Sequence, residues 1–464
     1  MSAQDQPVII AGGGVGGLMA ALALGRAGHE VVLLERDDVP LAGDPEEAFA
    51  VDRSGAPQAH QTHGFLARLV VTLRERFPDV LDSLVASGSR IIPLTRDLSG
   101  VEAGDDDLAV LIVRRTTFEW ALRKAARTAP NVEMRSGVGV AGLTGVRDGG
   151  ELPTVTGVVL DSGEVITASA VVASTGRRDR VAQWLAALGV AVPEEVHETG
   201  HVYLTRWYRF AGEVDLEAHP RLGGDLGWLK FLAVPGDGDT LSATLAVRTK
   251  DAELRTLLTD PDRFDVALRM LPGPSALLEE TAAKPISGVL PMAGLINRLR
   301  RFLDADGVPT VLGFHAVGDA HTCTNPLYGR GCSLAVVQAT LLADALAAHP
   351  DDLRARSLAY ERASAREVEP WFHSSVQLDA YNPDAHASGG GGAQNPLARV
   401  MASGASDPVV SRGILRAFNL LTRPDELFAD PVFMTRVAAI LSDPTVEPAP
   451  VAGPTRAEVL AAVP

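Results

Sequence analysis

Residues Val8 to Arg36 constrain this chain more than any other stretch. An apolar run, Val8-Ile9-Ile10-Ala11, leads into Gly12-Gly13-Gly14-Val15-Gly16-Gly17. An Ala/Leu-rich segment follows, then Glu30-Val31-Val32-Leu33-Leu34-Glu35-Arg36. The pattern reads as strand, glycine turn, helix, strand. Gly12, Gly14 and Gly17 fit G-x-G-x-x-G. The first allows the tight turn, the second lets backbone approach a pyrophosphate, and the third lets helix pack closely on strand. The helix start offers unpaired N–H groups and a partial positive charge to that anion. Glu35 closes the second strand, where a carboxylate can accept from both ribose hydroxyls. The stretch is therefore a dinucleotide site.

No second G-x-G-x-x-G sits in such a setting: Gly137-Val138-Gly139 lacks the third glycine and a helix. The one site must hold the cofactor that does the chemistry, which fits FAD better than NAD. Far downstream, Gly318-Asp319 follows an apolar run and precedes Pro326, Gly329, Gly331 and a helix. An aspartate there can accept from ribityl hydroxyls, the glycines permit close approach, and the helix start can stabilise charge on a reduced isoalloxazine.

A chain of 464 residues has room for two or three lobes. Its net charge of −16 argues against nucleic acid or an anionic membrane as main partner. The two cysteines, Cys323 and Cys332, suggest neither a disulfide framework nor a zinc site. The start lacks a basic, apolar leader, and no apolar run reads as a membrane span, so a cytoplasmic protein without membrane insertion is expected.

The spacing predicts helices over 64–76, 78–87, 116–127, 261–271, 332–348, 352–372, 409–421 and 431–441. Strands are expected over 108–113, 132–135, 137–140, 155–160, 164–166, 170–174 and 309–313. From His201 the period becomes two, over 202–210, 227–233 and 240–247, which reads as antiparallel strands. The segment 382–395 with its four glycines reads as a mobile loop. The fold class expected is α/β: a Rossmann-like FAD-binding parallel sheet, an inserted antiparallel-sheet substrate lobe and C-terminal helices. The boundaries are 1–198 and 301–375 for the two parts of the FAD domain, 199–300 for the substrate domain, and 376–464 for the helical region.

With these residues in place, the chain resembles the flavoprotein monooxygenases of the p-hydroxybenzoate hydroxylase fold. It is most similar to the bacterial polyether epoxidases of the lasalocid type, and more distantly to squalene epoxidase. The resemblance rests on Gly12–Gly17 with Glu35, Arg53-x-Gly55-x-Pro57-Gln58 with His63, Arg115 with Trp120, and Ser174-Thr175-Gly176-Arg177. It also rests on Gly318-Asp319 through Asn325-Pro326-x-Tyr328-Gly329-x-Gly331-x-Ser333. It implies FAD contacts from Arg53 and Arg115, the latter near the pyrophosphate. It further implies Val138 at the adenine, Asp319 on the ribityl chain, and Pro326 with Gly329–Gly331 against the isoalloxazine. The cofactor set is completed by Val15, Gly16, Arg36, Thr175, Gly176, Arg330 and Cys332. Many aromatic hydroxylases carry Asp-Gly where this chain has Thr175-Gly176, which leaves the electron donor open: NAD(P)H, or a partner flavin reductase.

The implied reaction passes one oxygen of O2 through a flavin C4a-hydroperoxide to an electron-rich substrate. The expected substrate is a lipophilic intermediate such as an alkene-bearing polyketide or terpenoid, epoxidised or hydroxylated. Epoxidation needs no protein base, and the sequence offers no clear one. Pro326, Gly329 and Gly331 carry the catalytic contribution by lying under the flavin. His63, Trp207, Trp228, Phe231, Met292 and Tyr328 are substrate-pocket candidates, although core packing explains several of them equally. Arg330 reads as facing solvent or the flavin edge. A geranylgeranyl-reductase-type activity stays open on the same motifs. A halogenase ranks behind it because the Trp-x-Trp-x-Ile-Pro motif is missing. A flavin-free prenyl-protein escort is disfavoured by Arg53, Arg115 and Asp319.

Overall fold

The computed structural model describes residues 6–96, 98–147, 152–212, 214, 222–380, 407–443, 445 and 453–463. The expected mobile loop at 382–395 lies outside them. The chain is α/β. Its central parallel sheet runs, in order, Phe314–Ala316, Ala170–Ala173, Val8–Ala11, Val31–Glu35 and Val132–Ser136. Successive residues of the first strand serve opposite faces. Val8 and Ile10 pack with the helices Val15–Arg26, Arg115–Thr128 and Arg330–Ala348, while Ile9 packs with Val158, Val171, Trp184 and Phe314. A sheet covered on both faces accounts for its apolar strands. The second face is covered partly by a three-stranded antiparallel meander, Val140–Val146, Thr154–Leu160 and Val165–Thr167.

The other large sheet has six strands and is antiparallel. Gly223–Asp225, Leu229–Pro235, Thr240–Arg248 and His201–Arg209 lie side by side, and Lys284–Pro285 and Leu290–Met292 both pair with the last. Its apolar face packs on the helices Ala252–Leu257, Pro261–Arg269 and Pro274–Glu280. Arg114 ties the lobes together, donating to Asp237 at 2.7 Å from within the core while Thr117 donates to the same carboxylate.

Four expectations change. The strand placed at 309–313 lies at Phe314–Ala316 instead, because the preceding residues first run beside the meander (Leu312 N to Pro153 O, 2.9 Å). Gly313 then turns at φ +68°, where a side chain would meet the Val155 carbonyl. The strand expected over 137–140 starts only at Val140, after a left-handed Gly137. The helix expected over 352–372 is two, Leu353–Glu367 and Glu369–Ala380, parted at Val368, two residues before Pro370, which has no N–H to donate back to the Arg366 carbonyl. Lastly, Arg330–Ala348 is 19 residues with mean hydropathy 1.6 and so passes as a span by length and composition. Most of it is buried against the first helix, the position of a core helix.

His315 sits in the parallel sheet with Nδ1 unpartnered. Burial, helped by the Arg356 charge, lowers its pKa to about 3. Below the unfolded value near 6.5 the unfolded chain takes a proton that the folded chain refuses. This contribution is therefore constant above that pH and falls by about 1.4 kcal/mol per pH unit on acidification, until the folded value is passed. Denaturant titrations between pH 7 and pH 4 should show a shallower loss for His315→Leu; equal slopes would contradict this.

Candidate active site

The glycine turn opens one continuous cleft of about 310 Å³ that runs from Glu35 and Val138 to Met292 and Pro326. At its entrance the turn is as tight as backbone allows. Gly12 has φ +106°, and a Cβ there would stand 2.3 Å from the Ser174 carbonyl oxygen. A Cβ on Gly17 would stand 1.8 Å from the Gly12 carbonyl oxygen, so Gly17 packs helix to strand and does not line the cleft. A Cβ on Gly14 would meet only the Arg115 guanidinium, at 3.9 Å, in the open cleft.

Behind the turn lies a buried charge cluster. Glu35 accepts from the N–H of Gly13 (2.8 Å) and from Arg53 (2.7 Å) through one oxygen, and from the N–H of Asp37 (3.0 Å) through the other. Arg53 also pairs with Glu119, which accepts from Arg115 Nε at 2.8 Å. Arg123 donates to the Gly13 carbonyl at 3.0 Å. Burial would raise the Glu119 carboxyl, but the Arg115 and Arg53 charges overcome it and hold it at about 2. Glu35, Glu119, Arg53 and Arg115 are thus each paired with an opposite charge, whereas Arg123 meets a carbonyl and its pKa is lowered by burial and the Arg53 charge. Arg115 is left facing Gly14.

Further along, Asp319 lines the cleft beside Gly331. Burial raises its carboxyl, although Arg115, Arg177 and Arg298 pull against that rise. The loop Pro326–Gly329 closes the far end. Asn325 caps it by accepting from the Leu327 N–H at 3.0 Å, and Gly329 turns at φ +66° against Gly64. The helix Arg330–Ala348 begins there, with Gly331 and Cys332 in the cleft wall. His63 Nε2 lies 3.0 Å from Arg115 Nη1. Burial and that cation lower its pKa to about 3, so the ring is neutral at physiological pH. Part of the ring remains open to the cleft, so the depression is fullest when the cleft is filled.

Two threonine hydroxyls in the wall, Thr175 and Thr324, are buried without a protein partner. Orphaned hydroxyls, an aspartate beside a helix start and a glycine turn that a methyl would obstruct match the donors and acceptors of an extended dinucleotide. The residues present fit FAD.

All of the expected cofactor residues line this cleft except Gly17 and Arg330. Arg330 corrects its reading: the side chain is buried, not solvent-facing, and points away from the cleft. It donates to the Trp371 carbonyl (3.0 Å) and the Ser375 hydroxyl (2.7 Å), and burial lowers its pKa to about 10. Of the substrate-pocket candidates, His63 and Met292 face the cleft. Phe231 lines a separate space of about 20 Å³ between the sheet lobe and the loop. Trp207 is turned away, donating to the His60 carbonyl at 2.7 Å, and Trp228 donates to the Pro454 carbonyl at 3.3 Å on the far side of the lobe. Tyr328 is buried with its hydroxyl on Asp379 at 2.7 Å. Sequence reasoning missed Gln61 and Thr62, which line both spaces. Their place directly before His63, in the segment already marked by Arg53, was the available signal.

The model of the FAD binding domain matches residues 7–41. Kynurenine 3-monooxygenase of Salinispora arenicola (strain CNS-205) is 26% identical over 377 residues, covering 78% of this chain and 77% of the relative. Among solved structures, p-nitrophenol 4-monooxygenase PnpA of Pseudomonas putida DLL-E4 aligns with TM-score 0.61 at 19% identity, over 90% of this chain and 98% of that one. The flavin-dependent brominase Bmp2 aligns with TM-score 0.62 at 16% identity, over 94% and 98%. The fold is thus shared with a p-nitrophenol 4-monooxygenase and a flavin-dependent brominase, and by itself it does not choose among such chemistries.

Proposed function

We propose that this chain is an FAD-dependent monooxygenase that transfers one oxygen atom of O2 to a lipophilic natural-product intermediate, epoxidising an alkene-bearing polyketide or terpenoid. The observation that carries the reading is the single cleft joining the glycine turn to the Pro326–Gly329 loop, with a far end that supplies no base. FAD supplies the oxygen chemistry when bound. The chain supplies anchorage, orientation and exclusion of water. Arg53, Arg115 and the glycine turn fix one end, and Asp319 holds the middle.

At the far end the wall is neutral. Gln61, Thr62, Met292 and Pro326 carry no charge. His63 is held unprotonated with a pKa of about 3, its Nδ1 on the Gln61 carbonyl and its Nε2 lone pair accepting from Arg115 at 3.0 Å, so near pH 7 it neither delivers a proton nor serves as an effective base. The Tyr203 phenol is pushed up by burial and by the Asp379 charge, so it stays protonated. A wall without a base favours an acceptor that needs no deprotonation, which an alkene satisfies and a phenol does not. The space between loop and sheet lobe is about 20 Å³, too small for an organic substrate. The electron donor is NAD(P)H or a partner flavin reductase.

The test is aerobic turnover of candidate alkenes with NAD(P)H or reduced flavin under ¹⁸O2. One labelled oxygen per product molecule is expected. Product without label would exclude the proposal, and a saturated product would point to a reductase of the geranylgeranyl-reductase type.

A further inference from the structure

Behind the Pro326–Gly329 loop, one carboxylate collects three hydrogen bonds, two from the loop and its cap and one from the strand Ile296–Arg300. Asp379, near the end of the helix Glu369–Ala380, accepts from Asn325 Nδ2 (2.7 Å) and the Tyr328 hydroxyl (2.7 Å) on Oδ1. It accepts from Asn297 Nδ2 (2.7 Å) on Oδ2. A carboxylate only accepts, so it turns both amides to face it with nitrogen. Their oxygens are then committed in the opposite direction. Asn325 Oδ1 receives the Tyr203 hydroxyl and the Leu327 N–H, and Asn297 Oδ1 receives the Asn325 N–H at 2.7 Å. The orientation of the whole turn thus follows from Asp379, and no donor in the set competes for an acceptor. Tyr203 carries the constraint into the sheet lobe, where it lines the small space beside Pro326.

The same carboxylate balances a cation. The Arg330 guanidinium, held by a carbonyl and two hydroxyls, lies 5.1 Å from the Tyr328 ring centre, whose hydroxyl rests on Asp379. Tyr328 is therefore flanked by a buried positive charge and a negative one, immediately behind the loop that closes the cleft.

We propose that Asp379 is a positioning residue of the flavin site, fixing the Pro326–Tyr328 turn through Asn325, Asn297 and Tyr328 and offsetting the charge of Arg330 behind it. The inference rests on the FAD reading of the cleft. It gives a signed expectation. Removing a negative charge near a group that gains electrons makes reduction easier, so the bound flavin becomes easier to reduce when Asp379 is neutralised.

The experiment uses FAD-loaded wild type, Asp379→Asn, Tyr328→Phe and Asp105→Asn, the last breaking a remote ion pair with Arg412. For each, the flavin midpoint potential, the visible circular dichroism of the flavin and the FAD Kd are measured. Asp379→Asn should move the potential in the positive direction and change the dichroism, with Kd altered less than threefold. Tyr328→Phe should change the dichroism with a smaller potential shift, and it keeps the test alive if the asparagine variant fails to fold. Asp105→Asn should move neither. An unchanged or more negative potential in Asp379→Asn, or equal shifts in Asp105→Asn, would overturn the inference while leaving the FAD site standing. Wild type that takes up no FAD would overturn both.

Discussion

Replacing Gly14 with alanine is expected to leave the fold intact and weaken FAD binding about 10- to 100-fold, the equivalent of about 1–3 kcal/mol of steric conflict. The residue has φ −83°, which alanine adopts freely, and its added methyl would touch no protein atom closer than Arg115 Nη2 at 3.9 Å. The loss therefore falls on the ligand alone. Gly17→Ala provides the contrast. Its methyl would stand 1.8 Å from the Gly12 carbonyl oxygen, so strand and helix must part and the protein itself should be destabilised. Thermal unfolding of the FAD-free proteins with parallel FAD titrations separates the two. A Gly14→Ala protein that binds FAD as wild type does would show that no phosphate approaches the turn.

The second large effect is on stability. Arg53→Ala should cost about 3–5 kcal/mol, the usual penalty for removing one partner of a buried ion pair. Arg53 lies between Glu35 and Glu119, and the side chains of all three are 7% exposed. Without it, Glu35 retains only backbone donors and Glu119 retains only Arg115 among its close partners. The Glu119 carboxyl, now held at about 2 partly by Arg53, should rise toward the ordinary range. The variant should therefore lose less, relative to wild type, at pH 4 than at pH 7. Urea unfolding at both pH values checks this; a loss below about 1 kcal/mol at pH 7 would place the cluster among ion pairs of little consequence.

The glycine turn, its two strands and the distal Gly318-Asp319 were legible because each uses a residue type that little else at that spacing requires. The period-two strands of the sheet lobe were legible for the same reason. Boundaries failed where tertiary contacts override local pattern. Gly313 bends the chain before the strand begins, and Pro370 breaks a helix whose apolar spacing runs on. The substrate side was the least readable. Trp207 and Trp228 suggested a pocket by size, yet each spends its N–H on a carbonyl outside it. Gln61, Thr62 and Asp379 carry no local signature, because their roles come from partners more than a hundred residues away in some cases and more than fifty in others. Arg330 read as exposed because arginines usually are. Its burial depends on the hydroxyls of Ser374 and Ser375, two helices further on.

The central claim is that one cleft, built from both ends of the chain, holds one extended FAD. Equilibrium titration of the flavin-free protein with FAD and with FMN tests it most directly. The account predicts one FAD per chain and much weaker binding of FMN, which lacks the half that the glycine turn and Glu35 receive. Equal affinity for FMN, or no saturable binding of FAD, would contradict it.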